Sequence, residues 1–179
     1  MSKIRKIAVF ISHIYGDYQR EVCQGVIDKA TQYGYHVDVF TSNDEKILGK
    51  YSTGEFDVLR IPNPSSYDGA IISSNTYLVP ELGQQIIEAL QSWDCPVIDI
   101  NTTVSPFPRV LLDNNSAIAD LVKHLVSVHG LHNICYLGNT IEFYFSCARE
   151  ARYKEAMDAC GLTDRIQIVE ADYSRESIC

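Results

Sequence analysis

The run Ile7-Ala8-Val9-Phe10-Ile11, followed by Ser12-His13-Ile14-Tyr15-Gly16-Asp17, decides how the rest of the chain is read. An unbroken apolar run of this length suits a strand buried on both faces, and Gly16-Asp17 breaks it. Asp17 is placed to cap a helix. Val22, Val26, Ile27, Ala30 and Tyr33 then recur at helical spacing up to Gly34, the natural position for a left-handed C-terminal glycine. Tyr35 to Phe40 reads as the next strand, with Val37 and Val39 on one face.

The same strand–helix rhythm extends outward. Gly69-Ala70-Ile71-Ile72-Ser73 is another buried strand. Pro80 sits where a helix can start, and Leu82, Ile86, Leu90 and Trp93 form its apolar stripe. Pro96 to Ile100 and Val110 to Leu112 are further strands. After Asp113, Ile118, Leu121, Val122 and Leu125 mark a helix that Gly130 ends, and Asn133 to Leu137 a strand. Tyr153, Ala156, Met157 and Cys160 mark a helix closed by Gly161, Arg165 to Val169 a strand, and Ser174 can cap one more helix. Residues 41–66 are the least regular: Asp44 to Gly49 reads as a short helix and Phe56 to Ile61 as a short extended segment. Strands alternating with helices imply an α/β fold, a parallel sheet covered by helices on both faces.

The bulk numbers fit a globular protein. The chain has 179 residues, 46% hydrophobic and 21% charged, with a formal net charge of -8. Residues 1–112 carry 9 basic and 13 acidic side chains and residues 113–179 carry 6 and 10, so each part is -4. No basic half exists to meet a phosphate backbone, and direct nucleic-acid contact by this chain is not expected. The apolar run at the start is too short for a secretory core or a membrane span, so a cytoplasmic location with no membrane contact is expected. The six cysteines (Cys23, Cys95, Cys135, Cys147, Cys160, Cys179) form no CxxC pair and read as reduced, buried thiols.

In parallel α/β sheets, ligands bind beyond the carboxyl ends of the strands. Those positions hold Ser12, His13, Tyr15 and Asp17; Thr41, Ser42 and Asn43; Ser73, Ser74 and Asn75; Asn101; and Asp113 and Asn114. Small hydroxyl and amide side chains exchange hydrogen bonds with hydroxylated ligands, and an aromatic ring can cover their apolar faces. Each is also an ordinary turn former; their convergence on one edge is the functional signal. Arg149 lies four residues before Tyr153, in the helix's inward stripe near its N-terminal end. A guanidinium there could fork onto a carboxylate or a pair of hydroxyls. Phe143, Tyr144 and Phe145 serve either a pocket wall or the core. No GxGxxG, GxxxxGK[ST] or GxSxG motif is present. His124 and His129, five apart, are expected on different helix faces, so with His132 they read as surface or capping residues and no metal is expected.

Several stretches together resemble the LacI-type regulators. Val110-Leu111-Leu112-Asp113-Asn114-Asn115, then His124-Leu125-Val126, then Gly130-Leu131-His132-Asn133-Ile134-Cys135-Tyr136-Leu137-Gly138 follow that family's order of strand, Asp-Asn, helix, Gly-His, strand and Gly, with Leu131 inserted. Tyr33-Gly34-Tyr35, Tyr67-Asp68-Gly69-Ala70-Ile71-Ile72 and Cys95-Pro96-Val97-Ile98-Asp99 are similar to its upstream turns and strands, and Arg149 with Arg152-Tyr153 to its Arg-x-x-Gly-Phe motif, Arg152 standing for the glycine. The resemblance implies a periplasmic-binding-protein-like fold of two α/β lobes, residues 4–112 and 113–179, the second incomplete. It implies effector contacts at Ser12, Tyr15, Asp113 and Arg149, with Ser73, Asn75 and Asn101 added by strand-end position. Only three residues precede Ile4, where the family's DNA regulators carry a helix-turn-helix headpiece.

The resulting expectation is a small-molecule sensor of a bacterial regulator, possessing no cofactor and no catalytic residues. Its ligand is sugar-like, lobe closure passes the signal on, and the chain forms a homodimer. Residues 41–66 resemble input modules that precede GGDEF domains, so the output is either a diguanylate cyclase or transcriptional regulation. A small α/β enzyme and a dimerisation scaffold are the alternatives.

Overall fold

The computed structural model describes residues 4–42, 57, 60–77, 79–102, 104–112, 115–139 and 144–171. The chain divides into two compact units, Met1–Leu111 and Leu112–Cys179.

In the first unit, β1 (Arg5–Ser12), β2 (Tyr35–Ser42), β3 (Gly69–Ile72), β4 (Val97–Ile100) and β5 (Arg109–Val110) form one parallel sheet in the order β2-β1-β3-β4-β5. The helix α1 (Asp17–Gln32) packs on one face, where Val9, Ile11 and Cys23 form a core with Val22, Val26, Val37 and Val39. The helix α2 (Pro80–Gln91) covers the other, where Ala8, Phe10, Ala70, Ile72 and Val97 meet Leu82, Ile86 and Leu90. β1 alternates its side chains between the two cores, which is why its whole run had to be apolar. Around Phe10 the second core is aromatic. Phe10 stacks on Phe40 (centroids 5.2 Å) and meets Trp93 edge-on (5.7 Å), while Tyr67 touches Phe40 (6.1 Å) and Trp93 (5.6 Å), so the four rings close a cycle. The Tyr67 hydroxyl donates to Asp38 Oδ2 at 3.0 Å; burial first, then that bond and the Asp38 charge, push the phenol up to about 12.

In the second unit, β6 (Cys135–Asn139) and β7 (Gln167–Ala171) pair in parallel, and α3 (Asn115–Ser127) and α4 (Tyr144–Ala159) pack together around Val122, Tyr153, Ala156, Met157 and Leu162. Tyr153 ties helix to sheet: its hydroxyl donates to Ile134 O at 2.7 Å and accepts from Gln167 N at 3.1 Å. Among the described residues both helices contribute to this one core, and Leu137 and Val169 are exposed.

Turn chemistry explains the boundaries. Gly34, Gly130 and Gly161 end their helices at φ of 73°, 63° and 72°, where a Cβ is disfavoured. Some readings change. Asp17 does not cap α1; Gly16 holds that position, and Asp17 instead pairs with Arg20 at 2.7 Å in the first turn. Of the proposed extended segment, Asp57 is helical, Arg60 N–H returns to Asp57 O in a turn, and Ile61 belongs to no strand; its other residues, and the helices at Asp44 and Ser174, lie outside the described residues. Cys23 is buried, but Cys135 is exposed because its side chain faces away from the helices.

Candidate functional site at the strand ends

The sheet order places a reversal between β1 and β3: the chain moves from β1 to β2 on one side and returns to β3 on the other. Helices leave such a point on opposite faces, and a crevice forms beyond the carboxyl ends. Ser12, Ser73 and Asn101 end β1, β3 and β4 on this single edge, as their types and spacing require.

They do not all point outward. Ser12 and Ser73 are fully buried. A 3₁₀ turn, Ser74–Thr76, folds across the crevice and consumes their polar groups. Thr76 Oγ1 donates to Ser73 O at 2.7 Å and accepts from Ser12 N at 3.0 Å, while Ser12 Oγ donates to Thr76 O at 3.0 Å. Ser73 Oγ donates to Asn75 Oδ1 at 3.0 Å. Ser12 and Ser73 therefore brace the rim from within. Tyr15 is 84% exposed, in the loop between β1 and α1. Asn101 is half-buried with φ of 56°, held there by its N–H donating to Val110 O at 2.7 Å. Among the described residues His13, at φ of 52°, is the other non-glycine residue in this backbone region, also just past a strand end. Such strain collects where a surrounding structure over-determines a functional geometry. Asp113 lies outside the described residues. Arg149 belongs to the second unit and is exposed, so it projects out of the packed stripe of α4 instead of sharing it with Tyr153.

The rim holds buried polar atoms that make no hydrogen bond: Thr41 Oγ1 and Ser42 Oγ at the end of β2, and Asp99 Oδ2 and Asn101 Oδ1 at the end of β4. Native proteins satisfy nearly all such atoms, so these call for water or a ligand. Asp99 escaped the sequence reading because it stands inside the strand Val97–Ile100. A carboxylate between two isoleucines was the available signal. Its Oδ1 accepts from Ser74 N at 3.2 Å. Burial pushes its carboxyl above the ordinary 3.8, and the Ser74 N–H, the Ser105 and Ser74 hydroxyls and the Ile100 N–H only partly oppose this.

A pH-dependent result follows. The folded state holds the Asp99 proton more tightly than the unfolded chain, so this group's contribution to stability is full below 3.8 and is lost as pH rises through the raised value. Asp99→Asn removes that loss. The variant's urea midpoint should gain on the parent's as pH rises from about 4 through the raised value, and level off above it. A gap between the two that does not change with pH would show that Asp99 is not buried as described.

A concavity of about 530 Å³ also opens on the first unit, lined by Pro64, Tyr67, Asp68, Asp94, Cys95 and Pro96 among others. These residues precede β3 and β4, so it lies at the amino ends of the strands, away from the rim. No described helix is long and apolar enough to cross a membrane.

A five-stranded parallel unit with a polar carboxyl rim is followed by a second α/β unit, and the fold of the two resembles that of known periplasmic-binding-protein-like proteins. No family model matches the chain. In sequence it is similar to catabolite control protein A of Priestia megaterium, 28% identical over 98% of this chain and 50% of that protein. It is also similar to the HTH-type transcriptional regulator RegA of Clostridium acetobutylicum, 29% identical over 69% of this chain and 35% of that one. In structure it is similar to the LacI family transcriptional regulator CCPA from Weissella paramesenteroides with bound sucrose, with a TM-score of 0.72 at 18% identity over 97% of this chain and 61% of that one. It also matches the periplasmic binding protein/LacI transcriptional regulator from Alkaliphilus metalliredigens complexed with D-xylulofuranose, TM-score 0.66 at 16% identity over 95% and 57%. The chain thus spans about half the length of the first curated relative and about a third of the second. RegA and the two structural relatives are named as transcriptional regulators, and none of these names supports a GGDEF output.

Proposed function

We propose that this chain is the effector-sensing part of a regulator and takes a small hydroxylated, sugar-like molecule at the strand-end rim. The supporting observation is the set of buried, unsatisfied oxygens on Thr41, Ser42, Asp99 and Asn101. A polyol carries donors and acceptors on neighbouring carbons, so it can satisfy the Asp99 carboxylate and the Asn101 amide, both at the end of β4, together. Tyr15 offers a ring to the apolar face of such a ligand, and Asn75 a further amide. Asp113 and Arg149 are carried over from the resemblance, Arg149 as a forked donor. The two lobes are residues 4–112 and 113–179, and ligand binding shifts the balance between their arrangements, which an output of transcriptional type reads. The homodimer belongs to the same proposal and is checked by sedimentation.

The test is calorimetry and thermal unfolding of the chain against sugars, nucleosides and amino acids. A sugar or polyol should raise the unfolding midpoint, since only a ligand preferring the folded state does so. Asn101→Ala and Arg149→Ala should each weaken it by about tenfold or more, the worth of one hydrogen bond to a charged or buried partner. If both variants bind as the parent does, the site is misplaced. If nothing on the panel shifts the midpoint, the scaffold reading replaces this one, and turnover of a panel compound would favour an enzyme.

A further inference from the structure

The expectation that His124 and His129 stand on different helix faces is overturned, because α3 ends at Ser127, before His129 is reached. The chain then folds back over the helix end. Val128 N–H donates to His124 O at 2.9 Å, Gly130 N–H to Val126 O at 3.1 Å and Leu131 N–H to Leu125 O at 3.1 Å, with Gly130 at φ of 63°. This closing turn carries the His129 ring to the His124 ring: their Nε2 atoms are 3.1 Å apart, the ring centroids 4.9 Å, and the planes meet at 73°. Both side chains are exposed.

We propose that His124 and His129 form a two-imidazole site for a borderline divalent transition-metal ion, of which Zn²⁺ is the probe. At a metal–nitrogen distance of about 2.0–2.1 Å, two ligands stand about 3.3 Å apart across a tetrahedral angle and about 2.9 Å apart across a right angle. The observed separation falls between these, so both nitrogens reach one ion with little ring movement. Without metal, one Nε2–H donates to the other ring's Nε2 lone pair. On binding, the donating ring passes that proton through solvent to its own Nδ1, so both lone pairs face the ion with no net proton released. The carbonyl end of α3 adds a negative potential that favours a cation. His132 is committed elsewhere, its Nδ1 lying 2.6 Å from Gly130 O. Among the described residues no third His, Cys, Asp or Glu joins the pair, so water completes the shell and the site is weak and reversible.

The experiment is a Zn²⁺ titration of the 179-residue chain, thiols alkylated so that Cys135 cannot compete, followed by calorimetry and by the imidazole ¹⁵N resonances. Zn²⁺ should shift the Nε2 resonances of His124 and His129. His124→Gln and His129→Gln should each weaken uptake by about tenfold or more, with His132→Gln unchanged. Equal uptake by the parent and both variants would overturn the site. So would a parent whose two Nε2 resonances stay still at millimolar Zn²⁺.

Discussion

Phe10→Ala should cost the first unit about 3–5 kcal/mol, the usual penalty for emptying a buried aromatic position. The side chain is 1% exposed and sits in the middle strand pair, where β1 is flanked by β2 and β3. It is also one of four rings closed on themselves with Phe40, Tyr67 and Trp93, and the most deeply buried of them. Removing it leaves a void that three partly exposed rings, each tied to its own strand end or loop, cannot jointly fill. Domains of this size hold about 5–15 kcal/mol in all, so such a loss takes a large share of it. Urea unfolding would report the lowered midpoint, and the chain's one tryptophan, Trp93, gives a direct signal because it meets Phe10 edge-on at 5.7 Å. A variant whose midpoint and Trp93 emission match the parent's would show that the ring cycle is not the core of this unit.

Thr76→Val is the second large effect, about 1–3 kcal/mol, the cost of a buried polar group deprived of a partner: Ser12 N–H loses this acceptor, while Ser73 O still accepts from Thr76 N–H at 3.0 Å. Valine fills nearly the same volume, so packing is kept and chemistry alone changes. The hydroxyl it removes donates to Ser73 O at 2.7 Å and accepts from Ser12 N at 3.0 Å. Thr76 is buried and its turn closes the crevice between β1 and β3, so loosening it disturbs the rim as well as the fold. Thr76→Ser retains the hydroxyl and should stay within about 1 kcal/mol of the parent. Measured together, the two variants separate the hydrogen bonds from the methyl group. Equal stability of the valine and serine forms would mean that Thr76 does not bridge the strand ends.

How much of this was legible differs from residue to residue. The run at Ile7 to Ile11 announced a strand with two buried faces, and β1 does bury into both cores. Gly34, Gly130, Gly161 and Pro80 marked helix ends because backbone chemistry at those residues is local. Ser12, Ser73 and Asn101 were placed on one edge correctly, since parallel strands all end on the same side. What failed was orientation. Ser73 turned inward because the turn that follows it directly, Ser74–Thr76, folds back, and Ser12 because that same turn, some sixty residues away in sequence, lies over it, which no pattern near Ser12 reports. Asp99 was passed over for the same reason: within β4 it shares a face with the buried Val97 while Ile98, the apolar neighbour, is 38% exposed. His124 and His129 met because the helix between them stopped two residues short of the second histidine.

The order of amino acids by itself determined the class of fold: strand and helix periods, and the residues that interrupt them, are set by interactions within a few positions along the chain. Which strand-end groups are spent on bracing the rim, which stay unsatisfied, and which histidines touch were decided only in three dimensions. Those outcomes depend on segments distant in sequence competing for the same hydrogen bonds and the same space, and burial is a property of that assembled neighbourhood.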